Sequence, residues 1–331
     1  VSTFSGIDIS ARSFDLVIKS GNSIGKAQAF KQHPDDFERA AKILKKNKVI
    51  LVVMEATGIY HLDLAVHLVS AGITVAVINP LSSKRFAELK LSQTKTDAAD
   101  AALLAEYAAV MKPEPWAPPK SEYMALKDIG RQINRITKDK VKAKNRLHAL
   151  QSKNSPAILI EDLEESVSFY ESRIDRLSIA ALNIIQKDEK LALVFECMIA
   201  AKGVGQSSAI AILAEFVVLP KNMKAKQVTR YCGLDIRTHQ SGTSVRGAAR
   251  ISKAGNAYLR SALYMPALSA SRYDDNVHEF REQLISRGKT KMQAIVAIMR
   301  KYVTGLWTVY RQCEAFDSDK LFNFSEKKLE H

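Results

Sequence analysis

Four acids carry the chemistry that this sequence could perform. Asp97 and Asp100, in Lys95-Thr96-Asp97-Ala98-Ala99-Asp100, stand three residues apart where an Ala-, Leu- and Glu-rich stretch, 98–111, predicts a helix. At that spacing both carboxylates project from one helical face. A like-charged pair there repels itself unless a cation lies between, so a bound metal is one explanation. The other is an ordinary capped helix start, with Asp97 as N-cap and Asp100 on the positive end of the dipole. Asp8 stands inside the apolar run Gly6-Ile7-Asp8-Ile9, and Glu55 directly follows the apolar run 49–54. A carboxylate in a sheet core needs a partner, a proton or a metal, and a lysine salt bridge would serve either acid alone. Together, Asp8, Glu55, Asp97 and Asp100 form a set of hard oxygen ligands. Such a set suits two Mg²⁺ or Mn²⁺ ions about 4 Å apart, rather than zinc, and fits phosphoryl chemistry.

Ser241 is the second candidate. It sits in the hydroxyl-rich, loop-like stretch His239-Gln240-Ser241-Gly242-Thr243-Ser244-Val245-Arg246-Gly247. A serine there is commonly a turn residue. As a nucleophile it needs a way to lose its proton and positive charge around the attacked phosphate. Arg237, Arg246, Arg250 and Lys253 can supply the charge; His239 is the one local base, and capping, packing or phosphate binding suit it better.

The elements that must position these residues follow from the patterning. Residues 3–9 and 14–20 read as strands, with 27–31 a possible third. A helix over 36–46 follows the breaker His33-Pro34. The unbroken apolar run 49–54 reads as a buried central strand, 60–70 as a helix ending at Gly72, and 73–78 as another strand stopped by Asn79-Pro80. Strands first, then alternating helix and strand, predict a mixed sheet with flanking helices. The order of acids on it resembles the RuvC branch of the RNase H-like fold, whose carboxylates hold two divalent ions.

Residues 112–120 hold four of the nine prolines and read as a stiff linker. Beyond it two heptad series predict a helical hairpin or coiled coil turning near 152–156. One runs through Leu126, Ile129, Ile133, Ile136, Lys140, Ala143, Leu147 and Leu150. The other runs through Ile160, Leu163, Val167, Tyr170, Ile174, Leu177, Ala181 and Ile184. The first carries eight basic residues between Lys127 and Arg146, Lys138, Lys142 and Arg146 among them, against Asp128 and Asp139. Glu161, Asp162, Glu164 and Glu165 open the second and could pair with part of that basic face; the surplus is left for RNA, DNA or another protomer.

Helices over 190–200 and 207–216 flank Gly203-Val204-Gly205. They resemble a helix-hairpin-helix, in which backbone amides of the turn meet a nucleic-acid phosphate, although Gly-x-Gly is also simply a good turn. From Lys221 to Arg260 nine Lys and Arg face a single acid, Asp235. Helices are expected over 257–270, 277–286 and 290–312, where Arg300, Lys301 and Arg311 could touch phosphate.

Across the 331 residues, 49 Lys and Arg outnumber 35 Asp and Glu, for a formal charge of +14. Such an excess fits a polyanionic partner. Cys197, Cys232 and Cys313 lie far apart, which argues against a zinc site or a disulfide framework and suits a reducing cytosol. No apolar run is long or pure enough to span a bilayer, no signal-peptide pattern is visible, and Leu329-Glu330-His331 read as the start of an expression tag. No Gly-rich loop ends in Gly-Lys-Ser/Thr, which disfavours an ATPase.

The motifs, in order and separation, resemble the insertion-sequence one-ten family of DEDD transposases, related to the Piv DNA invertase. The resemblance is carried by Gly6-Ile7-Asp8, Met54-Glu55-Ala56-Thr57-Gly58, Val77-Ile78-Asn79-Pro80, Lys95 to Asp100, Gly203-Val204-Gly205, Tyr231-Cys232-Gly233-Leu234 and the stretches 241–256 and 262–267. It implies an α/β RuvC/RNase H-like domain over 1–111, with metal ligands Asp8, Glu55, Asp97 and Asp100. The linker 112–120, a coiled-coil hairpin over 121–187, a mainly α transposase domain with helix-hairpin-helix over 188–325 and a tail over 326–331 would follow. It further implies that Ser241 is the nucleophile, that a noncoding bridge RNA pairs with donor and target DNA, and that protomers combine their domains as an oligomer joined through the coiled coil. Such a protein would act in the bacterial cytoplasm, at the nucleoid. Gln240, before the serine, is a mild departure at a variable position. Two other readings remain open at this stage. One is a RuvC-like nuclease or resolvase in which metal-activated water attacks and Ser241 only binds phosphate. The other is an inactive RNA- or DNA-binding protein.

Overall fold

A computed structural model of the chain describes residues 2–56, 60–91, 96–153, 155–237, 240–241, 245–246 and 250–322, with backbone alone at 240–241 and 245–246. Thr57, Gly58, Lys95, His239 and the tail fall outside these. The chain divides into two compact units, Val1–Pro118 and Pro119–His331.

The first unit opens with β1 (Thr3–Ile9), β2 (Ser13–Ser20), β3 (Ser23–Ile24) and β4 (Gln28–Lys31). Then follow α1 (Pro34–Lys46), β5 (Val49–Glu55), α2 (Leu62–Ser70), β6 (Val75–Ile78), α3 (Pro80–Leu89) and α4 (Asp97–Met111). The sheet runs β3-β2-β1-β5-β6, with β4 also on β2; β1–β2 is antiparallel and β1–β5–β6 parallel. An antiparallel meander continued by parallel strands in this order is the RNase H-like arrangement.

Strand alternation decides what each face carries. Ile7, Ile9, Phe14, Leu16, Val52 and Met54 face a core closed by Phe37, Ala40, Ala41 and Leu44 of α1 and Leu64 and Leu68 of α2. The opposite face presents Phe4, Leu51, Val53, Ala76 and Ile78 to Phe86 of α3 and Leu104 and Tyr107 of α4. Gly6, Asp8, Asp15, Val17 and Glu55 belong by the same alternation to this second face.

The two prolines read as breakers start helices. Pro34 and Pro80 take the first helical turn of α1 and α3, where a missing N–H costs nothing, and His33 and Asn79 cap them by accepting from Asp35 N and Leu81 N. Hence α3 was hidden behind Asn79-Pro80. Trp116 N donates to Val75 O at 2.7 Å, fixing that part of the proline-rich stretch to the edge of the sheet.

The second unit opens with α5 (Ser121–Gln151) and α6 (Ala157–Gln186), which pack along each other. Lys140 and Lys144 pair across the hairpin with Glu171, at 3.7 and 2.9 Å. Among the described residues none of the anticipated acids, Glu161, Asp162, Glu164 and Glu165, makes an ion pair; Arg131, Lys140, Lys142 and Lys144 pair instead with Glu215, Glu171 and Asp139. Next come α7 (Glu189–Ile199), α8 (Gln206–Phe216) and α9 (Ala225–Tyr231), the last not anticipated. Four two-residue strands follow, β7 (Ile236–Arg237), β8 (Gln240–Ser241), β9 (Val245–Arg246) and β10 (Arg250–Ile251). The chain closes with α10 (Ala257–Ala262), α11 (Tyr264–Tyr273), α12 (Asp275–Ser286), α13 (Lys291–Gln312) and α14 (Ser318–Phe322).

Residues 257–270, expected as one helix, break at Leu263, because Pro266 has no N–H for the Ala262 carbonyl. The core is built around α13, whose buried Tyr302 and Trp307 donate to Lys202 O and Met223 O at 2.8 and 2.9 Å. Base and tip of the hairpin differ: Leu126 and Ile133 join this core, whereas Val141, Ile158, Leu159 and Phe169 are exposed. Lys301, expected as free for phosphate, lies over the rings of Phe280 and Phe322 and donates to Leu321 O. Among the described residues no helix is long and apolar enough to cross a membrane.

Gly6 is where α4 meets the sheet. A Cβ there would lie 2.1 Å from Ala101 O and 2.2 Å from Ala105 N, both backbone atoms. Gly6→Ala is therefore expected to force α4 off β1 and cost about 3 kcal/mol or more, beyond ordinary overpacking. Urea unfolding measures the loss; a stability within 1 kcal/mol of wild type, a margin set by ordinary surface changes, would show that the two backbones do not need this contact.

Candidate functional site

Thr96, not Asp97, caps α4: its Oγ1 accepts from Ala99 N at 3.2 Å and its carbonyl from Asp100 N at 2.8 Å. The helix start is satisfied without Asp97, whose carboxylate is left exposed in the first turn, with Asp100 half-buried one turn on. The plain cap reading of Asp97 is thereby corrected.

The rest of α4 explains why these acids meet the sheet. Ala101, Ala105 and Ala108 are fully buried and small, and Gly6 has no side chain, so helix and strand backbones approach closely. Asp8 lies two residues beyond Gly6 on the same face, toward the N-terminus of α4. Glu55 ends β5 on that face, one strand over.

Burial, then the fields of Asp100, Asp97 and Glu55, push the Asp8 carboxyl up to about 6. The four predicted acids thus share one electrostatic site. They do not stand as a finished coordination shell: among the described residues, no group of three His, Cys, Asp or Glu is placed to hold an ion. Repulsion among four carboxylates favours splayed side chains. All the donors are carboxylate oxygens, which fits a hard divalent cation.

A fifth acid was missed. Asp15 faces Asp8 across the β1–β2 ladder, and burial with the field of Asp97 raises its pKa. Alternation within 13–20 places it on the acid face beside Val17, a signal available once β1 and β2 are paired in register.

In the second unit, Ser241 belongs to a two-tier β-hairpin rather than a loop. Strand β7 pairs with β10, and inside that stem β8 pairs with β9, setting Ser241 opposite Val245. The side chains of Ser241 and Arg246 lie outside the described residues. At the stem, Arg237 stands directly opposite Arg250. Like charges in register destabilise a ladder, and neither arginine has an acid partner among the described residues.

Both ends of this excursion are held down. Asp235 accepts from the Ser252 hydroxyl, and its carbonyl from Ser252 N at 2.8 Å. Lys253, with φ +52°, donates its N–H to Gly233 O at 3.0 Å. Arg260 Nη1 bonds Cys232 O and Lys253 O at 2.7 and 3.3 Å. Gly255, at φ +146°, lies so close to Tyr231 that a Cβ would fall 2.2 Å from its carbonyl oxygen.

Beneath lies a polar network invisible to sequence spacing. Glu215, 1% exposed, takes two bonds from Arg131 at 2.6 and 2.9 Å and one from the Asn256 amide at 2.5 Å. Asn256 also donates to Tyr231 Oη at 2.9 Å and caps α10 through Leu259 N. Arg131, Arg135 and Lys138 lie over the Tyr258 ring at 4.8, 5.9 and 5.7 Å. Of the α5 candidates, Lys142 pairs with Asp139 at 3.1 Å and Arg146 is exposed. Gly203, at φ +89°, is required by packing, since a Cβ would fall 2.6 Å from Pro266 O; Gly205 caps α8 with open space around it.

Residues 5–154 match a DEDD transposase family model, described as a transposase, and residues 196–282 match the transposase IS116/IS110/IS902 family. The first match spans nearly all of the first unit and runs on into α5, the second lies in the second unit, and between them they take in most of the chain, which belongs to the IS110 family of transposases. It is an enzyme of the DNA transposase and recombinase class. The pilin gene-inverting protein of Moraxella lacunata is 29% identical over 95% of this chain and 98% of its own length, and that of Moraxella bovis matches equally. An insertion element IS110 protein of Streptomyces coelicolor is 26% identical over 42% of this chain and 33% of its own. Thermus thermophilus RuvC in complex with a Holliday junction substrate overlaps 35% of this chain and all of its own at 15% identity, with a TM-score of 0.28. That overlap is slight, and the fold assignment stands on the strand order.

Two predictions follow from these sites. The folded protein holds the Asp8 proton more tightly than the unfolded chain, so protonation favours folding. Stability contributed by Asp8 therefore rises as pH falls from about 6 toward 4, and the repulsion acts in full at neutral pH. In divalent-free buffer Asp8→Asn is expected to add about 1 kcal/mol at pH 7, solvent screening the remainder, and to flatten that slope. Urea midpoints across the range read both; an unchanged slope contradicts the shared field. Separately, Arg131→Met leaves Glu215 charged and buried, and is expected to cost about 3 kcal/mol in urea unfolding, with a cost below 1 kcal/mol showing that the pair is dispensable.

Proposed function

We propose that this transposase joins DNA strands through a covalent serine–DNA intermediate at Ser241, with divalent ions held by Asp8, Glu55, Asp97 and Asp100. The observation that carries the reading is the shared field at Asp8: three further carboxylates crowd one half-buried acid on a sheet face. Such crowding is unfavourable to the fold alone and suits a site that takes cations. Magnesium or manganese there would polarise phosphate and stabilise charge on the attacking and leaving oxygens.

The chain's own residues supply the rest. Ser241 Oγ loses its proton and forms a bond to phosphorus, while the bond from phosphorus to the 3′-oxygen breaks and that oxygen takes a proton. A 3′-hydroxyl of the partner strand then attacks the serine-linked phosphate and releases Ser241. One phosphodiester is exchanged for another, so no high-energy cofactor is consumed. Arg237, Arg246, Arg250 and Lys253 would supply the positive charge that the attacked phosphate needs. Lys138, Lys142 and Arg146 extend a basic track along α5, and the turn at Gly203 and Gly205 offers backbone amides to a phosphate.

The family likeness adds a noncoding guide RNA and an oligomer joined through the hairpin. The formal charge of +14 suits two nucleic acids. The half-exposed seam residues Leu147, Leu163 and Tyr170, beside exposed Val141, Ile158, Leu159 and Phe169, suit a second copy at the hairpin tip. DNA inversion, the activity for which the Moraxella relatives are named, is strand exchange of the same kind.

The test is a denaturing gel of end-labelled donor DNA after incubation with protein, guide RNA and Mg²⁺. Wild type is expected to give a protease-sensitive shifted band, and Ser241→Ala and Asp97→Asn none. Cleaved DNA with free ends from Ser241→Ala would replace the serine with metal-activated water and sink the nucleophile.

A further inference from the structure

At the foot of the Ser241 excursion lies a groove of about 820 Å³. Its floor is apolar: Val296 and Ala297 of α13, Leu284 of α12, and Ile251 of β10. Two side chains at its mouth, Ile236 and Met292, are 52% and 56% exposed, an unfavourable placement for large apolar groups on one surface. The rim carries Arg250, Lys253, Lys289 and Arg300, and among the described residues no acid lines it. Arg300 Nε is buried there with no hydrogen-bond partner among the described residues.

Two facts tie the groove to the chemistry. Ile236, Arg250 and Ile251 belong to the β7–β10 stem that carries the Ser241 hairpin, so one wall of the groove is the base of that excursion. Arg250 is also half of the mispaired Arg237–Arg250 rung, whose repulsion an anion would relieve.

We infer that this groove receives one unstacked nucleotide of the DNA strand, its base on Val296, Leu284 and Met292 and its phosphate on Arg250, Lys289 and Arg300. The volume lies within the range of about 300–1,000 Å³ usual for small-molecule sites. Base recognition by enzymes that open a duplex has the same form, an apolar slot for the ring with cations for the backbone. A duplex presents its phosphates and hides its base faces, so it satisfies the rim and leaves the floor bare. A single strand satisfies both. That the strand is DNA rests on the reading of Ser241 as nucleophile, since the groove adjoins the element carrying that serine. Extrusion here would hold the strand open beside the phosphate to be attacked.

The experiment uses the full chain and fluorescence anisotropy with three probes: a short labelled oligothymidylate, an oligouridylate of equal length, and a duplex of the same length. Val296→Trp fills the floor. It is expected to weaken the oligothymidylate about fivefold or more, the worth of one stacked base, and to leave the duplex within twofold. Lys289→Glu, on an exposed turn, tests the rim where the core is untouched, with a loss of about threefold expected on oligothymidylate from one phosphate contact. Thermal melts check that each variant is folded; should Val296→Trp fail to fold, Met292→Ser, at a side chain already 56% exposed, repeats the floor test. Unchanged oligothymidylate affinity overturns the proposal. Equal losses on single strand and duplex from the floor variant reduce the groove to a patch of charge and also overturn it. A loss confined to oligouridylate makes the occupant RNA and overturns the assignment to DNA. Failure of the serine reading appears elsewhere, as an adduct that survives Ser241→Ala on the denaturing gel, with the anisotropy losses unchanged.

Discussion

The contact between α4 and β1 at Gly6 is the constraint on which the first unit depends. An α-helix packs on a sheet at a distance set by the side chains between them, and here there are almost none: Gly6 below, and Ala101 and Ala105 above. The backbones meet, and the N-terminal turn of α4 is drawn down to the level of Asp8. A bulkier residue at any of the three would lift the helix and with it Asp97 and Asp100. The alanine-rich composition of 98–108 is therefore more than helix propensity. It sets the height of two carboxylates above a strand. Thr96 completes the arrangement by taking over the cap, which leaves Asp97 without a structural duty at the helix end.

The second unit solves a similar problem with polar groups. The excursion bearing Ser241 is a pair of short ladders, too small to be stable through their own hydrogen bonds. Its ends are instead fastened to a buried carboxylate network. Glu215 holds Arg131 of α5 and Asn256, Asn256 holds Tyr231, and Gly233 and Gly255 allow the two flanking segments to touch. Burying a charge pair gives little net stability, but it punishes any displacement of its members severely. The ends of the excursion are thereby fixed, and the hairpin of α5 and α6 is keyed to them through Arg131.

The sequence made much of this legible, unevenly. The strand-like stretch 3–9, the unbroken apolar run 49–54 and the heptad spacing of 126–136 reported the sheet and the helical hairpin, because burial leaves a pattern that composition reveals. Asp8, Glu55, Asp97 and Asp100 were legible as acids in apolar or helical settings, and Asp8 feels the field of the other three. Asp15 was not, because its partner is set by cross-strand register rather than spacing. Pro80 misled, since a proline marks a helix start as readily as an interruption, whereas the helix expected after Pro34 is present and opens two residues earlier. Arg131, Glu215 and Asn256 were opaque for a different reason: they are 84 and 41 residues apart, and nothing local in the sequence says that α5, α8 and α10 converge. The stretch 239–247 was read as a loop because two-residue strands carry no period at all.

Both sites share an energetic character with a consequence for function. Each concentrates like charge against its own fold: three carboxylates around Asp8, and Arg237 opposite Arg250 with Lys253 nearby. Among the described residues no cation pairs with Asp8, Glu55 or Asp97 and no acid with Arg237 or Arg250, and each cluster is held at some expense of stability, as functional sites commonly are. The missing charges are of opposite sign. On the proposed reading the acid cluster would take cations and the stem phosphate, so each repulsion would be relieved by the counter-charge that its own site binds.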